Sequence, residues 1–208
     1  MKHLNTYENK SFNIKPMTSY ITEYIIKKKL DNPIDSEYKY HPQTKEELIE
    51  NIKELLYKKE NDLNCIDTSA ITDMSFLFLN INVIIDNIDV SNWDVSNVIN
   101  MEGLFNNCKK FNCDLSKWDV SNVKDMSYMF YNCGNFDCDL SNWDVSNVTN
   151  MYTMFEGCSK FKGKGLENWD VSNVINMSDM FNECNKFDCD LFKWNVSKLK
   201  YAFYVCLF

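Results

Sequence analysis

The amino-acid sequence predicts a repeat solenoid in which each coil contains a short parallel strand and a short helix, preceded by a helical N-terminal cap. Three observations support this fold class. The phrase Trp-Asp-Val-Ser-Asn-Val recurs, the apolar residues around it keep one register, and the segment before the array has a helical pattern of its own. Because a fixed period of this length is typical of stacked supersecondary units, we expect one continuous core.

The repeat unit is about 25 residues long, since successive tryptophans are 25, 25, 26 and 25 residues apart at Trp93, Trp118, Trp143, Trp169 and Trp194. Four apolar columns share this spacing: Met101, Met126, Met151 and Met177; Phe105, Phe130, Phe155 and Phe181; Cys108, Cys133, Cys158 and Cys184; Phe111, Phe136, Phe161 and Phe187. A degenerate first copy begins at Ile66, and an incomplete last copy runs to Phe208. The sequence therefore indicates a helical N-terminal segment and cap, residues 1–64, and a solenoid of about six repeats, residues 65–208.

Within one unit, two periodicities indicate two elements. Val123, Met126, Met129 and Phe130 have the i, i+3, i+6, i+7 spacing of a short amphipathic helix, and Ser121 before them is a good cap. The segment 111–115 instead alternates apolar and polar residues, which is the period of a half-buried strand. Neither element is stable alone, so we expect each coil to stack on the next.

The N-terminal segment has the pattern of a cap. Thr44 and Glu47 form a capping-box signature after Pro42, and a helix is predicted from about residue 45 to 60 with Leu48, Ile52, Leu55 and Leu56 on its apolar face. A second candidate helix contains Ile21, Tyr24 and Ile25. Terminal units of solenoids are usually atypical because they cover an otherwise open core, so the first of these helices is expected to cover the first coil.

The units around Trp118, with Phe111-Asn112-Cys113-Asp114-Leu115 before it and Met126-Ser127-Tyr128-Met129-Phe130 after it, resemble the 25-residue repeats of the BspA-like leucine-rich repeat family. Many members of that family are bacterial surface proteins. The resemblance implies a leucine-rich-repeat-like solenoid that serves in binding or adhesion. It also suggests the cell surface, whereas the N-terminal residues show no export signal and by themselves predict a cytoplasmic protein.

Charge and composition narrow the class of partner. The chain has 30 acidic residues against 22 basic ones, all of them lysine, which gives a net charge of -8. We therefore expect no nucleic-acid partner, because an acidic surface has nothing with which to displace the counterions of a phosphate backbone. The longest apolar stretch is too short for a membrane span, so none is expected.

The sequence contains few of the residue combinations that form catalytic or metal-binding sites. We therefore expect no enzymatic activity, no metal and no cofactor. Both histidines, His3 and His41, lie outside the repeats. The two cysteine columns are compatible with disulfides or a thiolate metal site, but buried reduced thiols fit their odd number and spacing better. An aspartate directly follows each of the first four tryptophans. These aspartates suggest either a calcium-binding site or side chains that close turns, and the turns are favoured. The Trp column suggests either a sugar-binding strip or core packing, of which core packing is favoured.

The outward positions of the predicted strands are the candidate binding surface, and we call them the outward row: Asn112, Asp114, Asp137, Asp139, Lys162, Lys164, Asp188 and Asp190. We expect a non-enzymatic protein-binding or adhesion-type protein that uses this row, with an unidentified protein partner. The alternatives are a structural scaffold that self-associates through its C-terminal coil, where Tyr201, Phe203 and Phe208 are aromatic, and a cysteine-ladder metal or redox protein.

Overall fold

The computed structural model describes residues 38–79, 81 and 87–203, which belong to one compact unit, Tyr38–Phe208. These residues contain one α-helix, α1 (Lys45–Tyr57), and one short 3-10 helix (Leu166–Asn168). No helix in this part of the chain is long and apolar enough to cross a membrane. The second candidate helix, with Ile21, Tyr24 and Ile25, lies outside the described residues, and the proposed division of the chain at residue 64 stays a prediction.

The predicted solenoid with a strand and a helix in every coil is wrong. The segment around Phe111–Leu115 forms no strand and the segment Val123–Phe130 forms no α-helix. Across the described ranges, pairing is limited to isolated parallel bridges, one column of which joins Asp73, Asn100, Asp125, Asn150, Asn176 and Tyr201 in that order. The repeats are therefore stacked coils built almost entirely from turns, and a leucine-rich-repeat architecture is not supported.

The backbone hydrogen bonds of residues 126–133 explain why the coil forms turns and no α-helix. Inside the coil, the N–H groups of Met129, Tyr131 and Cys133 each donate to the carbonyl three residues earlier, at 3.0 to 3.2 Å. The N–H groups that alternate with them donate to the next coil, as in Met126 to Asn150 O at 3.0 Å. An α-helix would turn every N–H toward its own chain four residues back, and no donor would remain for the neighbouring coil.

This alternation needs a left-handed backbone at two places in each coil. Tyr128 has φ of 56° and Asn132 has φ of 57°, and the equivalent residues of the preceding coil, Gly103 and Asn107, have φ of 57° and 62°. Glycine and asparagine adopt this region easily, whereas a tyrosine there is uncommon. At Gly103 a Cβ would lie 2.4 Å from the ring of Phe76, so this position requires glycine for space as well.

Two phenylalanine columns form the centre of the stack. In the middle coil, the ring centroids of Phe130 and Phe136 are 4.0 Å apart, and Phe130 is 5.6 Å from both Phe105 and Phe155 in the adjacent coils. Methionine, valine and leucine side chains complete the same apolar cluster. Because each phenylalanine packs within its own coil and against its neighbours, removing one ring leaves a cavity that affects three coils.

The predicted cap helix is present, and it ends three residues earlier than expected. Thr44 accepts the N–H of Glu47 at 3.2 Å, which satisfies one of the free donors at the start of α1. Leu48, Ile52, Leu55 and Leu56 are buried, as predicted, in the same cluster as the first coils. The helix therefore contributes its apolar face directly to the core of the repeats.

Substitution Phe130→Ala tests the phenylalanine columns. We expect a loss of about 3 to 5 kcal/mol in the free energy of unfolding, because Phe130 is fully buried between two other coils. The exposed substitution Asp114→Asn is the control and should change stability little, since Asn also accepts the turn hydrogen bond. Thermal and denaturant unfolding measure both; equal midpoints for the two variants would contradict the assignment of inner and outer faces.

Candidate functional site

The structure places all eight residues of the outward row at or near the surface. Six are exposed, whereas Asp137 and Asp139 are partly buried, and the residues that alternate with the row in the same coils are mostly buried. The direction of these side chains therefore follows the alternation in the sequence even though no strand forms. The row crosses four consecutive coils and presents a regular surface to solvent.

Hydrogen bonds join the row from coil to coil. The Oδ1 atom of Asn112 accepts the backbone N–H of Asp137 at 2.9 Å, and Oδ1 of Asp137 accepts the backbone N–H of Lys162 at 3.0 Å. Asp188 continues the series by donating its N–H to the carbonyl of Lys162 at 3.2 Å. Side chains here replace the backbone carbonyls that a parallel sheet would use, so the row is held in a fixed geometry.

Two ion pairs reduce the charge in the middle of the row. Lys162 Nζ contacts the carboxylate of Asp137, and Lys164 Nζ lies 2.7 Å from Asp139 Oδ2. Lys164, together with hydrogen bonds from Ser141, holds the pKa of Asp139 down to about 2. For Asp114, hydrogen bonds from Ser116 chiefly lower the pKa, and the positive charge of Lys117 has a smaller effect in the same direction. The row is therefore close to neutral at its centre and acidic at Asp114 and at the Asp188 and Asp190 end.

The recurring phrase has a structural explanation at each polar position. The indole N–H of Trp118 donates to Val90 O at 3.1 Å in the preceding coil, and the ring is buried, so it offers no exposed platform for a sugar. The carboxylate of Asp119 accepts the N–H of Ser121 at 3.0 Å, which is an Asx turn, and the amide of Asn122 donates to Ser96 O at 2.7 Å. The Asp column therefore closes turns, as the sequence favoured.

The described cysteines are free thiols, and several of them donate to backbone carbonyls of the preceding coil. Cys133 Sγ donates to Phe105 O at 3.0 Å and Cys158 Sγ to Phe130 O at 3.0 Å. Burial raises the pKa of Cys108 to about 12, and burial also raises the pKa of Cys138 to about 12. Thiols with such pKa values are protonated and unreactive at neutral pH. Among the described residues, no group of three or more His, Cys, Asp or Glu side chains is arranged to hold a metal.

Three tyrosines form a surface cluster that sequence reasoning missed. The ring of Tyr128 meets the ring of Tyr152 edge to face at a centroid distance of 5.0 Å, and it meets Tyr131 at 5.9 Å. All three side chains are partly buried. Loss of solvent raises the pKa of Tyr128 to about 12, and a hydrogen bond with Tyr152 and the nearby carboxylates of Glu102 and Glu156 act in the same direction.

A shallow surface cavity of about 540 Å³ lies on another side of the first coils and is lined by Ser69, Ala70, Thr72, Asn97, Ile99, Asn122 and Lys124. Its one ionisable side chain is Lys124, whose Nζ bonds to Asn147 Oδ1 at 3.0 Å. A single lysine among amides, hydroxyls and aliphatic groups provides no pair of groups for acid and base chemistry.

A comparison with protein-family models found one match, described as "Mycoplasma protein of unknown function, DUF285". It covers residues 46–164 and again residues 137–206, so the repeats and most of helix α1 fall within it. No curated protein and no solved structure matched the chain.

The Asx turns predict a specific acid sensitivity. Hydrogen bonds and Lys164 lower the pKa values of Asp114, Asp119, Asp139 and Asp170 in the folded chain. Stability from a lowered carboxyl pKa is complete above its unfolded value, about 3.9, and is lost as the pH falls through the folded value. The melting temperature should therefore fall steeply between about pH 4 and pH 2. A variant with Asp114, Asp119 and Asp170 replaced by Asn keeps the turns and should lose less; an identical fall in both proteins would refute this origin of the effect.

Proposed function

The chain belongs to the DUF285 family of Mycoplasma proteins of unknown function, and we propose that it is a non-enzymatic, adhesion-type protein whose outward row binds another protein. The observation that carries the proposal is a contrast between positions of the repeat. The buried and turn-forming positions hold nearly the same residues in every coil, whereas one outward position changes from Asn112 to Asp137, Lys162 and Asp188. This outward position tolerates amide, carboxylate and ammonium side chains in the same stack, so its residues are available for recognition.

The rigidity of the row supports this proposal. Its side chains bond to the backbone of the adjacent coil, as Asn112 does to Asp137 and Asp137 to Lys162. A surface held in this way loses little conformational entropy when it binds, which favours affinity for a given contact area. The resemblance of the 25-residue unit to BspA-like repeats adds that adhesion is the form of binding to test first.

The test replaces Asp114, Asp139 and Asp190 together with asparagine. Each of these carboxylates accepts the N–H two residues later, and asparagine keeps that turn while it removes the charge. We expect proteins captured from host-cell and bacterial extracts by the intact chain to be lost or weakened at least fivefold, and to be released by added salt. Binding is measured by quantitative capture followed by titration of the purified partner.

The matched control is the triple variant Asp94→Asn, Asp144→Asn and Asp170→Asn, which removes three carboxylates from equivalent Asx turns on a different side of the coil. It has the same change in net charge and should keep the partner. A partner that both triple variants lose equally is held by net charge alone, and one that neither loses binds elsewhere; each result would refute the outward row as the binding surface.

Self-association is a second candidate, favoured by aromatic residues exposed on the last described coils. Phe192 is 94 % exposed, Phe203 69 % and Tyr201 53 %. In the preceding coils, the residues equivalent to Phe192 are Ser116 and Ser141, which are polar. Exposed aromatic side chains are a common feature of contact surfaces between protein chains.

Sedimentation velocity over a wide concentration range tests self-association. The intact chain should form a dimer as its concentration rises, and Phe192→Lys with Phe203→Lys should remain a monomer. Tyr57→Lys is the matched control, since Tyr57 is 86 % exposed at the end of α1 and should not affect assembly. A monomer at all concentrations of the intact chain would eliminate this candidate.

A further inference from the structure

One side of the stack has a charge distribution unlike the rest of the molecule. It is formed by the segments 100–107, 125–132, 150–157 and 176–183, which follow the column of parallel bridges, and we call it the tyrosine-acid face. These four segments contain the three clustered tyrosines and five acidic residues, Glu102, Asp125, Glu156, Asp179 and Glu183, but no lysine, arginine or histidine. The lysines of the repeats lie in the other segments of the coils.

The carboxylates on this face are held in place by neutral donors. Asp125 accepts the N–H of Ser127 at 2.8 Å and the amide of Asn150 at 3.0 Å, and Glu156 accepts the amide of Asn182 at 2.9 Å. Such hydrogen bonds fix the position of a carboxylate without cancelling its charge. In the outward row, by contrast, lysines pair with Asp137 and Asp139. Within the described part of the chain, the negative charge of the tyrosine-acid face is thus largely uncompensated.

The pKa of Glu102 reflects the same excess of negative charge. Burial is the main cause that raises its pKa, and the negative charges of Asp125 and Asp73 raise it further, while Lys45 of helix α1 opposes them. Lys45 itself bonds to Ser75 Oγ at 2.6 Å and lies 3.4 Å from Asp73 Oδ2, so it is engaged at the first coil. A cation brought close to Glu102 would relieve this repulsion.

We propose that the tyrosine-acid face binds lysine or arginine side chains of a basic protein segment. The electron-rich ring faces of Tyr128, Tyr131 and Tyr152 attract a cation, and Glu102 and Glu156 on either side of Tyr128 supply charge for an ion pair. The proposal shares with the proposed function the premise that the chain binds proteins, but it assigns a different surface and names the chemistry of the partner.

Fluorescence anisotropy with the full chain tests the proposal. The probe is a labelled ten-residue peptide of alternating lysine and glycine, and a peptide of alternating glutamate and glycine is the negative probe. We expect saturable binding of the lysine peptide alone, weakened by salt because the contacts are charged. Absence of binding to the lysine peptide at low salt would overturn the proposal.

Charge variants locate the site. Glu102→Gln with Glu156→Gln should weaken the lysine peptide at least fivefold, because both carboxylates lie beside Tyr128, while Gln retains the capacity to accept the amide of Asn182. Asp94→Asn with Asp144→Asn removes the same charge from exposed Asx turns outside both candidate surfaces and should change the affinity less than twofold. Equal weakening by the two pairs would mean that net charge alone attracts the peptide, and the proposal would be wrong.

Two variants of Tyr131 separate the contribution of the aromatic rings to affinity from that of the charges. Tyr131→Phe keeps the ring and should bind the lysine peptide as the intact chain does, whereas Tyr131→Leu should weaken it about twofold to fivefold. Equal affinities for the Phe and Leu variants, with both folded by circular dichroism, would remove the tyrosines from the site. Partner binding that depends on the outward row, together with no affinity for the lysine peptide, would refute this inference and leave the proposed function intact.

Discussion

The hydrogen bond from an N–H of one coil to a carbonyl of the next is the interaction on which the rest of the structure depends. Phe130 N–H to Met154 O at 2.9 Å is one example, and the equivalent bonds of Phe105 to Met129 O and of Phe155 to Met180 O join the adjacent coils. A coil of consecutive turns leaves every second donor unsatisfied, and an unpaired donor in a dry interior is costly. A single coil is therefore unstable by itself, and the stack must form as a cooperative unit.

Stacking by these bonds brings equivalent residues of successive coils next to one another. Each column therefore needs a side chain that packs well against the same side chain in the adjacent coil. Phenylalanine stacks on phenylalanine in the core. The indole of Trp143 reaches Leu115 O at 3.1 Å and the amide of Asn147 reaches Ser121 O at 2.8 Å, each bonding to the backbone of the coil before it. The recurring phrase is thus a set of coil-to-coil contacts, and its repetition is a requirement of stacking.

Inner and outer faces were predictable from sequence because they depend only on which positions are apolar in every repeat. Met126 and Phe130 are buried for that reason. The secondary structure was not predictable in the same way, since consecutive turns with bonds three residues back place apolar side chains at nearly the same spacing as an α-helix. A clue was present in Gly103, which lies inside the supposed helix of its coil, and in Asn107 and Asn132, which follow the supposed helix directly; glycine and asparagine favour positive φ.

The candidate surfaces were predictable to different degrees. The direction of Asp114 and Lys164 followed from alternation, but the pairing of Lys164 with Asp139 depends on how closely adjacent coils approach, which the sequence does not specify. The tyrosine cluster did not follow from alternation, because it lies outside the supposed strands. Its signal was available in the composition of single segments, since the segments that start at the bridge column lack lysine altogether.

Electrostatics limits where a stacked repeat can place charge. In the partly buried bridge column, carboxylates would lie about 4.8 Å apart if every coil carried one, and the column instead places Asn100 and Asn150 on either side of Asp125. The Asp94, Asp119, Asp144 and Asp170 column does repeat its charge, but it is exposed, so water screens the repulsion. Two acids of the tyrosine-acid face, Glu102 and Glu156, belong to neither arrangement. Both are partly buried, and they occupy positions where another coil holds Ser127 and Tyr131. Glu156 accepts the amide of Asn182 in the next coil, a bond that a neutral glutamine would also accept, so the negative charge at this position is free to serve in the proposed binding of a cation.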